Sequence, residues 1–99
     1  MKHIKKYVEQ IEDEIESAKE YVEKSVMLKS KGNAVLSSKY REMAEDELRH
    51  AMTIHGEAVK EIEELSKTYT PPVEMLENWE HSHKRFVEEF LKIKQYLTL

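Results

Sequence analysis

Glu47 and His50 are the residues of this 99-residue chain whose types and spacing most directly invite chemistry. They lie three apart in Ala44-Glu45-Asp46-Glu47-Leu48-Arg49-His50-Ala51, so on a helix they share one face, about a turn from each other. A carboxylate and an imidazole at that spacing can bind one metal ion. Glutamate is abundant here, so the pair alone is a weak signal. A third residue strengthens it. If the chain folds back near Lys31-Gly32-Asn33, His50 comes level with residue 14, which is Glu. Glu14 lies on a stripe of heptad spacing, Tyr7, Glu14, Tyr21 and Leu28, and Glu47 and His50 lie on a matching stripe with Tyr40, Met43 and Ile54. Apolar neighbours on both sides lead us to expect an enclosed site, since a buried carboxylate is costly unless paired or bound to metal.

A second Glu-x-x-His occurs at Glu80 and His83. It permits a rival geometry in which Glu80 and His83 complete a site against the middle of the chain. His83 also comes about level with His55 if the chain turns near residue 70. These two histidines can meet as a metal pair or as a hydrogen-bonded pair, and the plainer reading is two core histidines with satisfied nitrogens. Glu80 reads most simply as a solvated flank residue. Glu42, Glu45 and Glu57 could line a metal's way in, but nothing in the sequence singles them out.

Three helices must position these groups. Two punctuation points divide the chain: Lys31-Gly32-Asn33, and Thr68-Tyr69-Thr70-Pro71-Pro72, where Thr70 can cap a helix that accepts proline in its first turn. The predicted helices run near 3–30, 34–67 and 72–97. Their seams alternate steps of three and four: Ile4, Val8, Ile11, Ile15, Ala18, Val22 and Ser25; then Ala44, Leu48, Ala51, His55, Ala58, Ile62 and Leu65; then Leu76, Trp79, His83, Phe86, Phe90, Ile93 and Leu97. Short connections make consecutive helices antiparallel. Gly56 falls inside the second helix, at a cost of about 1 kcal/mol relative to alanine, and reads as a mark of close helix contact. The expected fold is all-α, one domain over residues 1–99: an antiparallel hairpin plus a C-terminal helix. Its surplus apolar stripe calls for dimerisation into a larger bundle.

Glu14, then Glu47 a little over thirty residues on, then His50, resembles the first helix pair of ferritins and bacterioferritins over roughly residues 7–60. The resemblance implies Glu14 and His50 as terminal ligands and Glu47 as a carboxylate bridging two irons. Tyr21, two turns beyond Glu14, resembles the tyrosine that bacterioferritin-type sites keep near iron, which implies a catalytic role for it. A ferritin subunit has four main helices, whereas this chain has room for three. In that respect it is similar to the encapsulated ferritins, in which two chains each supply half of a di-iron centre. That resemblance implies a homodimer or larger homo-oligomer, ferroxidase activity in iron storage or detoxification, and a surrounding protein shell. Encapsulated ferritins also carry a C-terminal capsid-targeting peptide, to which Tyr96-Leu97-Thr98-Leu99 bears only a slight likeness. Manganese or zinc would suit the same oxygen-and-nitrogen donors.

Composition removes other classes. Charged residues make up 36% and apolar residues 39%, with two Gly and two Pro, which suits long amphipathic helices rather than sheets or disorder. Net charge is −4 and the two signs are interleaved, so no basic stripe exists for nucleic acid. There is no cysteine for a thiolate site or nucleophile. No apolar run approaches the ~20 residues of a membrane span, and Met1-Lys2-His3-Ile4-Lys5-Lys6 lacks a signal-peptide core. The expectation is a cytoplasmic protein, free or inside a protein compartment. The competing expectation is a metal-free helical scaffold, of the kind found among phage or accessory proteins, which needs the stripes but not Glu14, Glu47 and His50.

Overall fold

The computed structural model describes residues 2–98, with side-chain surroundings from Ile4 onward. Three helices account for nearly all of it: α1 (Lys2–Ser30), α2 (Ala34–Thr68) and α3 (Val73–Leu97). No strand occurs among the described residues. The bounds differ from the sequence reading by a residue at most.

The α1–α2 turn is built from three residues. Gly32 takes a left-handed conformation, φ 83°, which costs glycine nothing. The Asn33 amide donates to the Leu28 carbonyl at 2.9 Å and the Gly32 amide to Lys29 at 3.1 Å. This Schellman arrangement satisfies the last carbonyls of α1. Asn33 then opens α2, because its side chain accepts from the Leu36 amide at 3.2 Å. One residue thus ends a helix and starts the next, which holds the hairpin tight and fixes its register.

That register is antiparallel along the whole hairpin. Near the turn, the Ser25 and Ser37 hydroxyls lie 3.0 Å apart, and each donates to the other's carbonyl, at 2.8 and 2.6 Å. At the far end the Tyr7 hydroxyl donates to Glu61 at 3.0 Å. Ala44, Ala51 and Ala58 recur every seven residues on α2, and with Ala18 on α1 they are wholly buried. Such small side chains let the two backbones approach closely. A larger core fills in around them: Ile11, Ile15, Val22 and Leu48 with Ile93 and Leu97 of α3. A second cluster joins Ile4, Ala58 and Trp79, with Met75 rather than Leu76 packed against it. These clusters show α3 running parallel to α1, and it lies closer to α1 than to α2. The result is a rod of 56 × 18 × 17 Å. Its longest dimension is about that of α2 itself at the standard rise per residue.

Two local expectations are corrected. Thr70 does not cap α3: the cap position is Pro72, with no side-chain bond, and the helix begins at Val73. A residue preceding proline is pushed toward extended backbone, so Thr70 before Pro71 and Pro71 before Pro72 are both kept out of the helix. Gly56 does not mark a close approach either. It is exposed, and a Cβ built there meets nothing within 4 Å.

Candidate metal centre

Glu14 of α1 and Glu47 and His50 of α2 converge on one flank of the hairpin. One ligating atom from each lies within 4.8 Å of the other two, and no other such group of three occurs among the described residues. His50 Nδ1 stands 3.6 Å from Glu14 Oε2 and 3.9 Å from Glu47 Oε1. Two donors on a small divalent ion with bonds of about 2.1 Å stand roughly 3.0 Å apart at right angles and 4.2 Å apart when opposite. The two separations from His50 fall inside that range.

The enclosure expected from the sequence is only partial. The Glu14 and Glu47 side chains are 26% and 21% exposed, but His50 is 59% exposed. The reason is architectural. α3 lies against the other flank, where α1 presents Glu12, Glu16 and Lys19 to it. No described residue covers the face that carries His50, which is why its side chain stays 59% exposed. The same face leaves Leu36 and Met43 exposed, and Leu28, Tyr40 and Ile54 half-buried.

Tyr21 lies two turns from Glu14 along this face. Its ring pairs with Tyr40, centroids 6.0 Å apart, and the Lys24 ammonium sits 5.6 Å from the Tyr40 centroid. Glu45 faces Arg41 at 3.9 Å and Glu57 faces Lys60 at 3.5 Å, while Glu42 is exposed. None of these three joins the ligating group. Tyr7 and Glu61 form a hydrogen bond that the sequence did not announce. Accepting the bond from Tyr7 makes the Glu61 carboxylate raise the phenol pKa above its ordinary value.

The other flank holds a different polar group. His55 of α2 and His83 of α3 meet with Nε2 and Nδ1 2.8 Å apart, the hydrogen-bonded alternative of the two left open by the sequence. The ring centres are 4.9 Å apart. That exceeds the nitrogen separation by nearly two ring radii, so the rings meet edge to edge, nitrogen toward nitrogen. His55 also stacks against Trp79 and Phe86, with centroids at 5.3 and 5.0 Å. Burial first, and the charge of His83 second, hold the His55 pKa below its usual value. Glu80 does not take part. It is exposed among Val73, Leu76, Glu77, His81 and Lys84.

One ion pair spans α1 and α3 beside the histidines: Lys19 Nζ to Glu89 Oε2 at 2.7 Å. The bond from Lys19 holds the Glu89 carboxyl below the usual range, against the opposing effect of burial. Neither residue stood out in the sequence, since charges at such spacing occur throughout the chain.

No described helix is long and apolar enough to cross a membrane. No known protein family, no curated protein and no solved structure matches the chain.

Proposed function

We propose that this chain binds iron through Glu14, Glu47 and His50, in the manner of a ferritin-like half-site that a second copy completes. The observation that carries the reading is the convergence of three ligating atoms from two helices within 4.8 Å. Two carboxylates and one imidazole suit iron or manganese and do not exclude zinc. Three protein donors are fewer than the four to six such an ion takes. An identical face from a second copy would supply more, and it would cover the exposed Leu36, Met43 and His50. Glu14 and His50 would act as terminal ligands and Glu47 as the bridging carboxylate, as the resemblance to encapsulated ferritins implies.

The chemistry that iron supplies in such a setting is oxidation from the ferrous to the ferric state, with dioxygen or peroxide as the electron acceptor. The part played by the chain is electrostatic. Anionic oxygens on two rigid helices favour the more highly charged ion, and the half-buried setting strengthens that preference relative to open water. Tyr21 lies two turns from Glu14 in the sequence, and the resemblance to bacterioferritin-type sites implies a redox role for it.

The test combines metal content per chain with oligomer mass, on protein without a His-tag. Ferrous iron should bind in a fixed ratio and the mass should double or rise further. Absorbance of the ferric product after ferrous titration in air then reads oxidation. Protein that stays monomeric and metal-free under saturating ferrous iron would sink this reading.

A second reading is a metal-free homo-oligomeric scaffold. The observation favouring it is the exposure of His50 together with 3.6 and 3.9 Å separations, which are too long for hydrogen bonds. Under that reading the mass rises without metal, and His50→Ala leaves it unchanged.

A further inference from the structure

We propose that the His55–His83 pair is a two-proton latch, which holds the middle of α3 against α2 at neutral pH and lets α3 loosen from the hairpin once both rings are charged. The latch lies on the covered flank and works whether or not iron binds at Glu14, Glu47 and His50.

His55 Nε2 and His83 Nδ1 are 2.8 Å apart. At that distance one nitrogen donates and the other must accept, so one facing nitrogen is bare. The donating ring is bare at its outer nitrogen, whereas the accepting ring carries its proton there. A first added proton can therefore sit on the outer nitrogen of the donating ring, and the bond survives with one charged member. A second has nowhere to go but the accepting nitrogen. Two N–H groups then face each other, the bond is lost, and two like charges repel across the α2–α3 contact.

The surroundings do little to absorb that charge. His55 stacks against Trp79 and Phe86, and burial first, the charge of His83 second, hold its pKa below the usual value. Charged groups face the pair from both neighbouring helices: Glu12, Glu16 and Lys19 of α1, and Arg85 and Glu89 of α3. Lys19 and Glu89 are bonded to each other, and Glu12, Glu16 and Arg85 are exposed, so water weakens their fields. A histidine with a depressed folded pKa gives stability that is full above about 6.5 and is lost as pH falls from there toward the folded value. Carboxylates ordinarily titrate near 4, so loosening that begins above pH 5 belongs to histidine. The α1–α2 hairpin keeps its Asn33 turn, its Ser25–Ser37 bonds and its buried alanines, none of which titrates in this range. The helix that yields is α3.

Trp79 is the single tryptophan of the chain, is buried and stacks on His55, so its emission reports on the latch. The experiment follows that emission and amide hydrogen exchange in the full-length, metal-free protein between pH 7 and pH 5. Emission should move to the red. Protection factors in α3 should fall at least about tenfold, the equivalent of one pKa unit, and those in the hairpin should fall less. A chain carrying both His55→Gln and His83→Gln can keep an amide-to-amide bond that does not titrate, and both changes should vanish in it. His81→Gln, at an exposed ring outside the pair, should keep both. Circular dichroism checks that the double variant is helical. Should that variant fail to fold, a nuclear magnetic resonance titration of the parent decides: the His55 ring should titrate below 6.5, and the Trp79 indole signal should move with the more acidic step of the pair. Flat α3 protection and Trp79 emission in the parent overturn the proposal. So does an acid response that survives in the folded double variant, or a His55 ring that titrates at or above 6.5.

Discussion

The two flanks of the α1–α2 hairpin carry polar groups of similar type but opposite status. On the flank that α3 covers, His55 meets His83 at 2.8 Å and Lys19 meets Glu89 at 2.7 Å, with Trp79 buried beside them. These groups find partners within the chain. On the other flank, Glu14, Glu47 and His50 point toward one another yet stay beyond hydrogen-bond distance, and His50 lies open to solvent. Burial usually compels polar groups to pair. Here the covered flank obeys, while the open one keeps ligating groups gathered without hydrogen bonds among them. On the function proposed above, that contrast separates a stabilising device from a binding one, and it can be broken experimentally from either side.

The largest effect belongs to the covered flank. Trp79→Ala removes a buried ring shared by Ile4 and Ala58, and should cost about 3–5 kcal/mol in urea or thermal unfolding. Ferrous-ion stoichiometry measured on the folded fraction should not change. Loss of metal binding in a still-folded Trp79→Ala chain would show that the flanks are coupled and would break the contrast.

Glu47→Ala probes the open flank. Deleting one of three ligands should weaken ferrous binding by at least about 100-fold, or roughly 2.7 kcal/mol. The stability of the metal-free chain should move by no more than about 1 kcal/mol, because the side chain is paired with nothing closer than 3.9 Å. Isothermal titration and denaturant unfolding on the same sample separate the two effects. A stability loss as large as that of Trp79→Ala would recast Glu47 as a structural residue.

Much of this contrast was legible in the sequence because heptads are legible. A stripe of threes and fours places Glu14 level with His50 once the Gly32 turn fixes the register, and the convergence of the three residues follows. The same reasoning put His55 level with His83. Exposure was harder to read. Whether His50 is enclosed depends on which flank α3 chooses, and both hairpin flanks carry apolar stripes in the sequence. Whether two level histidines come close enough to share a proton turns on tenths of an ångström, which no periodicity encodes. The Thr70 error had a different source: capping preference pointed to threonine, but the steric demand of two consecutive prolines prevailed.

Glu89→Gln sharpens the contrast by a smaller amount. Its carboxyl pKa lies below the ordinary value in the folded chain because Lys19 donates to it. A depressed carboxylate gives stability that is whole above the unfolded value of about 4.3 and is lost as pH falls through the lower folded value. The substitution should remove that acid-side loss and lower stability at pH 7 by about 0.5–1 kcal/mol, since both groups remain partly in water. Thermal melts between pH 7 and pH 3 would read it. A pH profile identical to that of the parent would mean the ion pair does not help hold α3.

The smallest effect tests what lies on neither flank. Gly56 is exposed and an added Cβ meets nothing within 4 Å. By its helical angle it points away from the face that carries Glu47 and His50. Gly56→Ala should therefore raise stability by about 0.5–1 kcal/mol, by restricting the unfolded chain and favouring the helix. Neither ferrous stoichiometry nor oligomer mass should change. If the alanine variant is instead less stable only at concentrations where the protein associates, a second copy must pack on Gly56. The face that pairs would then not be the one bearing Glu14, Glu47 and His50.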